Sequence, residues 1–245
     1  MDKAVVYNRL AGGLIVSCQA LKDEPLYSSY IMSRMAYAAK EGGAVGIRAN
    51  SISDIREIKK TVDLPVIGII KQKYEGYETV ITPTRLEVEA LVLEGVEIIA
   101  LDCTIRPHPS EKNLEDFLYK IRAEFPDQLL MADCSNYAEG MAAARLGMDF
   151  IGTTLSGYTD YTRNRQLPDV ELIEQLSRDC GKPVIAEGGI KTPDQLASVF
   201  KAGAWAAVVG SAITRPQEIT REFILGAGCR TQEFKEYKQK GESER

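Results

Sequence analysis

The chain of 245 residues reads as an α/β protein, a single (β/α)8 TIM barrel. Three observations carry that reading. Short runs of Ile, Val, Leu and Ala alternate with segments of helical period, as parallel strands buried on both faces do when helices cover them. Eight such strand-helix units follow at a near-constant spacing with no break in composition, and barrels of this kind run to ~250 residues. A polar residue closes most of the apolar runs, at the ends where barrels keep their chemistry.

The elements follow in order. An opening segment to Ala11 precedes strand one, Gly13 to Gln19, which ends on an amide. Ile31, Met32, Met35 and Ala38 to Ala39 then recur three and four residues apart after Ser28 and Ser29, and Gly42-Gly43 stops that helix. Strand two, Ala44 to about Ala49, carries Arg48. Ser51 and Ser53 open a helix through Ile55, Ile58 and Val62. Pro65 leads into the central strand, Pro-Val-Ile-Gly-Ile-Ile-Lys, which is too short for a helix and ends on Lys71. A lysine in that place either snorkels to water or performs chemistry.

A polar loop from Tyr74 to Thr82 precedes a helix that starts at Pro83 and closes near Gly95. Strand four is Glu97 to Asp102, and the two prolines of the loop from Thr104 to Pro109 set Arg106 and His108 above it as an active-site rim. A helix from Asn113 to Phe125, strand five at Leu129 to Asp133, a helix from Asn136 to Leu146 and strand six at Phe150 to Leu155 continue the alternation. The long loop from Thr153 to Arg165 is either a lid over the barrel mouth or an ordinary surface loop. A helix from Val170 to Arg178, strand seven at Pro183 to Glu187, a helix from Pro193 to Ala202 and strand eight at Ala206 to Gly210 complete the barrel, and a last helix begins at Pro216. The barrel domain spans residues 1–225, and residues 226–245 form a charged C-terminal tail.

Composition narrows the function. A net charge of -5 and a pI near 5.2 speak against nucleic acid and anionic membranes and for a small-molecule partner. With no run of the ~18 apolar residues that a span needs, and no apolar stretch at the start, the chain is expected to be cytoplasmic. Five cysteines, Cys18, Cys103, Cys134, Cys180 and Cys229, form no CxxC pair and read as reduced thiols, most simply small core residues facing the helices, with a reactive or metal-binding thiol as the alternative.

The candidate chemistry gathers at the strand ends. Glu187-Gly188-Gly189 and the run from Gly210 and Ser211 to Arg215 follow the last two strands, where barrels commonly bind phosphate on backbone N–H groups that glycine leaves approachable. Gln19, Arg48, Lys71, Asp102, Asp133 and Glu187 each end a different strand, so they either line a pocket or bridge one another to close the rim. Burial would lower the pKa of Lys71 and neighbouring carboxylates would raise it. No metal site is expected, since the only histidine lies between prolines and no His or Cys cluster has ligand spacing; carboxylates holding magnesium are the alternative.

These residues stand in a longer ordered series, including VSCQALKDEPLY, GGAVGIRAN, LPVIGIIK, IIALDCT, LLMADCS, IGTTLSGYT, PVIAEG and VVGSAITRPQEIT, from about Gly13 to Phe223. The series closely resembles the N-acetylmannosamine-6-phosphate 2-epimerases among the phosphate-binding barrels. The resemblance implies interconversion of N-acetylmannosamine 6-phosphate and N-acetylglucosamine 6-phosphate, a step in the use of sialic acid, in a homodimer that needs no cofactor. It implies that Lys71 is the acid/base, with Glu187 as its partner and Asp133 in the same site. Gln19 and Arg48 match substrate contacts, and Arg215 with the backbone after strands seven and eight matches the phosphate end. The departures are Gly189 where many relatives carry a longer polar side chain, Cys103 where alanine is usual, and a longer charged tail. Two other readings remain open on the residues alone: a Schiff-base aldolase of phosphosugars using Lys71, and a non-catalytic sugar-phosphate sensor.

Overall fold

A computed structural model describes residues 1–109, 111 and 113–229. Eight parallel strands close on themselves in sequence order: β1 (Leu14–Cys18), β2 (Gly46–Asn50), β3 (Val66–Ile69), β4 (Ile98–Asp102), β5 (Leu129–Asp133), β6 (Phe150–Gly152), β7 (Val184–Glu187) and β8 (Ala206–Val209). Closure is made by β8 pairing back on β1, with Ile15 opposite Val208. The helices are α1 (Lys3–Leu10), α2 (Ser29–Glu41), α3 (Ile52–Thr61), α4 (Arg85–Glu94), α5 (Leu114–Glu124), α6 (Tyr137–Arg145), α7 (Val170–Asp179), α8 (Pro193–Lys201), α9 (Ser211–Thr214) and α10 (Pro216–Ala227). The single (β/α)8 barrel expected from the sequence is the fold observed.

Alternation along each strand divides the core in two. One set, including Ile15, Ile67, Ile69, Ile98, Met131, Phe150 and Ile185, fills the barrel interior. The other, including Ile47, Leu101, Ala132 and Val184, packs against Ile55, Leu91, Ile121 and Leu176 on the helices. Burying one such aliphatic side chain stabilises the fold by about 1.5–3 kcal/mol. A Cβ on Gly68 would lie 2.9 Å from Val96 and 3.0 Å from Leu91, so only glycine allows the layers this approach. Cys18, Cys103 and Cys134 lie in the helix-facing layer, as expected for small core residues. Burial pushes the Cys18 thiol up to about 12 and carries Cys103 and Cys134 well above the ordinary thiol range.

The ends of some elements differ from the sequence expectation. The opening segment is a helix, α1, capped by Asp2, whose carboxylate accepts a 2.8 Å bond from the Ala4 N–H. It closes the amino end of the barrel: Tyr7 stacks on Phe150 at 4.8 Å and meets Trp205 edge-on at 5.7 Å. Strand β3 stops at Ile69, before Lys71, and β6 stops at Gly152, before Leu155. After Gly152 the chain turns instead, with the Ser156 N–H donating to the Thr153 carbonyl. Helix α10 runs to Ala227, past the expected domain end, and the tail from residue 230 onward lies outside the described residues. No helix of the described residues is long and apolar enough to cross a membrane.

Candidate active site

Residues two apart on a strand share a face, so the interior rows can be followed to the carboxyl mouth. The row Leu129, Met131 on β5 ends in Asp133, and Ile185 on β7 is followed by Glu187. On β2 the interior positions are Arg48 and Asn50. Counting on by twos reaches Lys71 from β3 and Thr154 from β6.

Arg48, 1% exposed, crosses the interior to meet two of these ends. Its Nη2 donates to Asp133 Oδ2 at 2.6 Å, and its Nη1 donates to both Asp133 Oδ1 at 3.0 Å and Glu187 Oε2 at 2.8 Å. Burial opposes the arginine charge, but Asp133 and Glu187 outweigh it and hold its pKa raised. Thr154 Oγ1 bridges the same carboxylates, 2.6 Å from Asp133 Oδ1 and 3.1 Å from Glu187 Oε2. Burial raises the Glu187 carboxyl to about 7; Arg48 pulls against this and Asp133 adds to it. Two carboxylates share one guanidinium, so the cluster has one negative charge to spare when both are ionised.

Lys71 is held beyond its strand rather than by it. Its N–H donates to Asn50 Oδ1 at 2.8 Å, it bridges antiparallel to Ile81, and the Gln72 N–H donates to the Val80 carbonyl at 2.9 Å. The residue reaches solvent at the open mouth, yet protein crowds the ammonium. Desolvation therefore lowers its pKa below the usual lysine value; Arg48 and Arg215 act in the same direction, and Glu187 and Glu24 oppose them.

Gln19 and Arg215 lie toward another side of the mouth, lining a cleft of about 140 Å³ with Glu24, Leu26, Thr214 and Gln217. Gln19 Nε2 donates to Ser17 Oγ at 2.8 Å. Arg215 is paired with Glu24 at 3.0 Å and Glu218 at 3.1 Å. Gly188 and Gly189 adopt the left-handed φ values of +109° and +68°, and a Cβ on Gly189 would lie 2.3 Å from the Leu167 Cβ. The side chain absent from Gly189 thus has its space taken by Leu167. Gly210 precedes α9, whose first turn begins at Ser211 with no side chain capping it.

Two expected mouth residues are engaged elsewhere. Asp102 is fully buried and its carboxylate accepts from the Thr104 N–H at 3.0 Å, the Thr104 hydroxyl at 2.7 Å and Arg106 Nη2 at 2.6 Å, so it anchors its own loop. His108, expected at the rim, turns inward to 2% exposure and stacks on Phe117 at 4.9 Å. The loop after β6 forms turns with Ser156, Thr159 and Thr162 buried and Tyr158 exposed. Glu139 on α6 gathers the loops: its carboxylate accepts from Ile105 N–H at 3.0 Å, Ser135 N–H and Oγ at 2.7 Å each, and Tyr161 Oη at 2.6 Å. Asn50, Thr154, Glu24 and Glu139 escaped the sequence reading. For Asn50 and Thr154 the signal was present, as the next inward positions after Arg48 and Gly152.

Among the described residues no group of three or more His, Cys, Asp or Glu side chains is placed to hold a metal ion. A lysine and a carboxylic acid shifted toward each other, at the carboxyl mouth of a closed parallel barrel, belong to the class of (β/α)8-barrel enzymes. A family model described as "Putative N-acetylmannosamine-6-phosphate epimerase" matches residues 32–227, and the chain belongs to that family. Proteins named "Putative N-acetylmannosamine-6-phosphate 2-epimerase" from Caldanaerobacter subterraneus subsp. tengcongensis and Clostridioides difficile are each 52% identical to it. Each alignment covers 89% of this chain, with 92% of the first relative and 96% of the second. Among solved structures, the N-acetylmannosamine-6-phosphate 2-epimerase from Clostridium perfringens superposes with a TM-score of 0.84 at 50% identity, over 89% of this chain and 94% of that one. A thiamine phosphate pyrophosphorylase from Pyrococcus furiosus, at 19% identity and a TM-score of 0.59 over 88% of this chain and 92% of its own, shares the fold alone.

Proposed function

We propose that the protein interconverts N-acetyl-D-mannosamine 6-phosphate and N-acetyl-D-glucosamine 6-phosphate by removing and returning the proton on carbon 2, an isomerase step in sialic acid catabolism. The observation that carries this reading is the shared environment of Lys71 and Glu187, which draws the lysine down and the glutamic acid up to about 7. The Glu187 carboxyl then exchanges its proton near neutral pH, where a general acid or base is most effective, and Lys71 gives up its proton more readily than an ordinary lysine.

The proton on carbon 2 is acidic only when carbon 1 is a free aldehyde, so the sugar reacts in its open form. Neutral Lys71 takes that proton, and the electrons move through the bond from carbon 2 to carbon 1 onto the aldehyde oxygen. The guanidinium groups of Arg48 and Arg215, both near enough to act on Lys71, favour the resulting enolate. Returning a proton to the opposite face of carbon 2 gives the epimer, and Glu187 supplies the second proton-carrying group. Asp133 holds Arg48 in place through two bonds of 3.0 and 2.6 Å, and Gln19 contacts the sugar. The phosphate is taken by backbone N–H groups at Gly188, Gly189, Gly210 and Ser211 together with Arg215, for which the substrate exchanges Glu24 as partner. Asp102 acts on the substrate only indirectly, through Arg106.

Proton NMR of N-acetylmannosamine 6-phosphate incubated with the protein in heavy water tests the proposal. The expected result is loss of the carbon 2 proton signal as the epimer forms, without added metal and unaffected by a chelator. An unchanged carbon 2 proton would overturn it in favour of a sensor, and borohydride trapping of the sugar on Lys71 would favour an aldolase. The same reading takes the protein to be a cytoplasmic homodimer, which sedimentation tests for its oligomeric part.

A further inference from the structure

The contacts of Thr154 contain more than a positioning of two carboxylates. A hydroxyl has one proton to donate and lone pairs to offer, yet Thr154 Oγ1 lies within hydrogen-bond distance of oxygens on both Asp133 and Glu187. It donates to one of them and turns a lone pair toward the other. The 2.6 Å contact to Asp133 Oδ1 has the length of a hydroxyl-to-carboxylate bond. The 3.1 Å contact to Glu187 Oε2 is then a lone pair facing an oxygen. That contact is repulsive if Glu187 is ionised and attractive if Glu187 carries the proton on Oε2 and donates it to Thr154, a remaining lone pair of that oxygen accepting from Arg48 Nη1 at 2.8 Å.

Arg48 makes the same division. It meets Asp133 through both terminal nitrogens and Glu187 through one. Asp133 is fully buried, whereas the Glu187 side chain keeps 14% exposure toward the mouth, where a substrate would reach it. The charged groups that face Glu187 are Arg48 from β2, Asp133 from β5 and Lys71 beyond β3, with the Tyr158 phenol on the loop after β6.

We propose that Thr154 is a positioning residue that assigns the shared proton to Glu187 and leaves the negative charge on Asp133. When Glu187 gives its proton to substrate, rotation about the Thr154 Cβ–Oγ bond moves the donated hydrogen from Asp133 to the new Glu187 carboxylate. No proton is gained or lost in that rotation, and it reverses when Glu187 is reprotonated. The inference rests on the reading of Glu187 as the proton-carrying partner of Lys71, but its test does not use turnover.

The experiment is a carbon-13 NMR titration of the side-chain carboxyls, with Glu187 assigned by its loss in Glu187→Gln. In the parent protein Glu187 should keep its proton above the ordinary carboxylate range. Thr154→Val, which replaces the hydroxyl with a methyl of similar shape, removes the acceptor for the Glu187 proton. The Glu187 titration should move to lower pH by up to about one unit, the worth of one hydrogen bond. Thr154→Ser should restore it. A Glu187 titration that stays in place or moves upward in Thr154→Val would overturn the proposal, since simple donation by Thr154 to Glu187 predicts an upward shift. A Glu187 carboxyl that ionises within the ordinary carboxylate range in the parent protein would overturn it without any variant, which decides the matter if Thr154→Val does not fold.

Discussion

Arg48 Nη1 donates at 2.8 Å to Glu187 and at 3.0 Å to Asp133, so a single nitrogen on β2 ties together carboxylates from β5 and β7, on strands that do not touch each other. Removing the arginine would leave a buried acid, Asp133, and a part-buried one, Glu187, without their shared counter-charge. Arg48→Met should therefore cost about 3–5 kcal/mol of stability. Thermal melting should show the loss, larger at pH 8 than at pH 5, where protonation relieves the repulsion. A melting point equal to the parent's at both pH values would refute this account of the cluster.

Glu187→Gln should have the opposite effect on stability. The Glu187 pKa rises from 4.5 unfolded to about 7 folded. Its favourable contribution is thus fully present below pH 4.5 and is lost as the pH rises through 7. Glutamine stays neutral throughout. The variant should melt above the parent at pH 8 by a few degrees, with the gap closing toward pH 5, while its epimerase activity is lost.

Lys71→Met keeps most of the unbranched stem and removes the nitrogen. Melting should remain cooperative and near the parent value, since the backbone of residue 71 is held by Asn50 and Ile81 and not by the ammonium. Turnover should fall by ~10²–10⁴-fold, the usual loss for a general acid or base, and solvent exchange at carbon 2 should fall with it. Exchange that persisted while epimer formation stopped would move the proton abstraction to Glu187.

Arg215→Ala should raise KM by roughly tenfold or more, the value of a charged hydrogen bond, with kcat little changed. The phosphate is remote from carbon 2, so its binding should be nearly equal in ground and transition states. A fall in kcat at constant KM would place Arg215 beside the reacting carbon.

Thiol labelling should find Cys180 and Cys229 accessible in the native protein and Cys18, Cys103 and Cys134 accessible only on unfolding. Rapid labelling of any of those three would contradict their placement between barrel and helices.

The barrel was legible because strand and helix periods differ and because each apolar run was short and bounded. Arg48, Asp133 and Glu187 were legible as strand ends, and the structure brings them into direct contact. Thr154 was hidden because the apolar run of strand six reads on to Leu155, whereas β6 ends at Gly152, and because a neutral hydroxyl among other threonines and serines carries no charge signal in a sequence. Asp102 fits the same strand-end pattern, but what its carboxylate meets depends on how the following loop folds, and residues 104–106 turn back onto it. Helix α1 gave little sign of itself because its apolar residues, Val6 and Leu10, are few and its cap is a single aspartate.

Glu139 has a mechanical consequence. Its one carboxylate is anchored to residues from the loops after β4, β5 and β6, so none of these three can lift away without breaking a bond to a buried charge. Amide hydrogens along Ile105, Ser135 and the segment around Tyr161 should then exchange with solvent at one common rate, as a single opening unit. Parting that half of the rim costs several bonds to one buried side chain at once, whereas on the opposite side Arg215 and Glu24 hold the cleft by an ion pair within water's reach, which costs less to open.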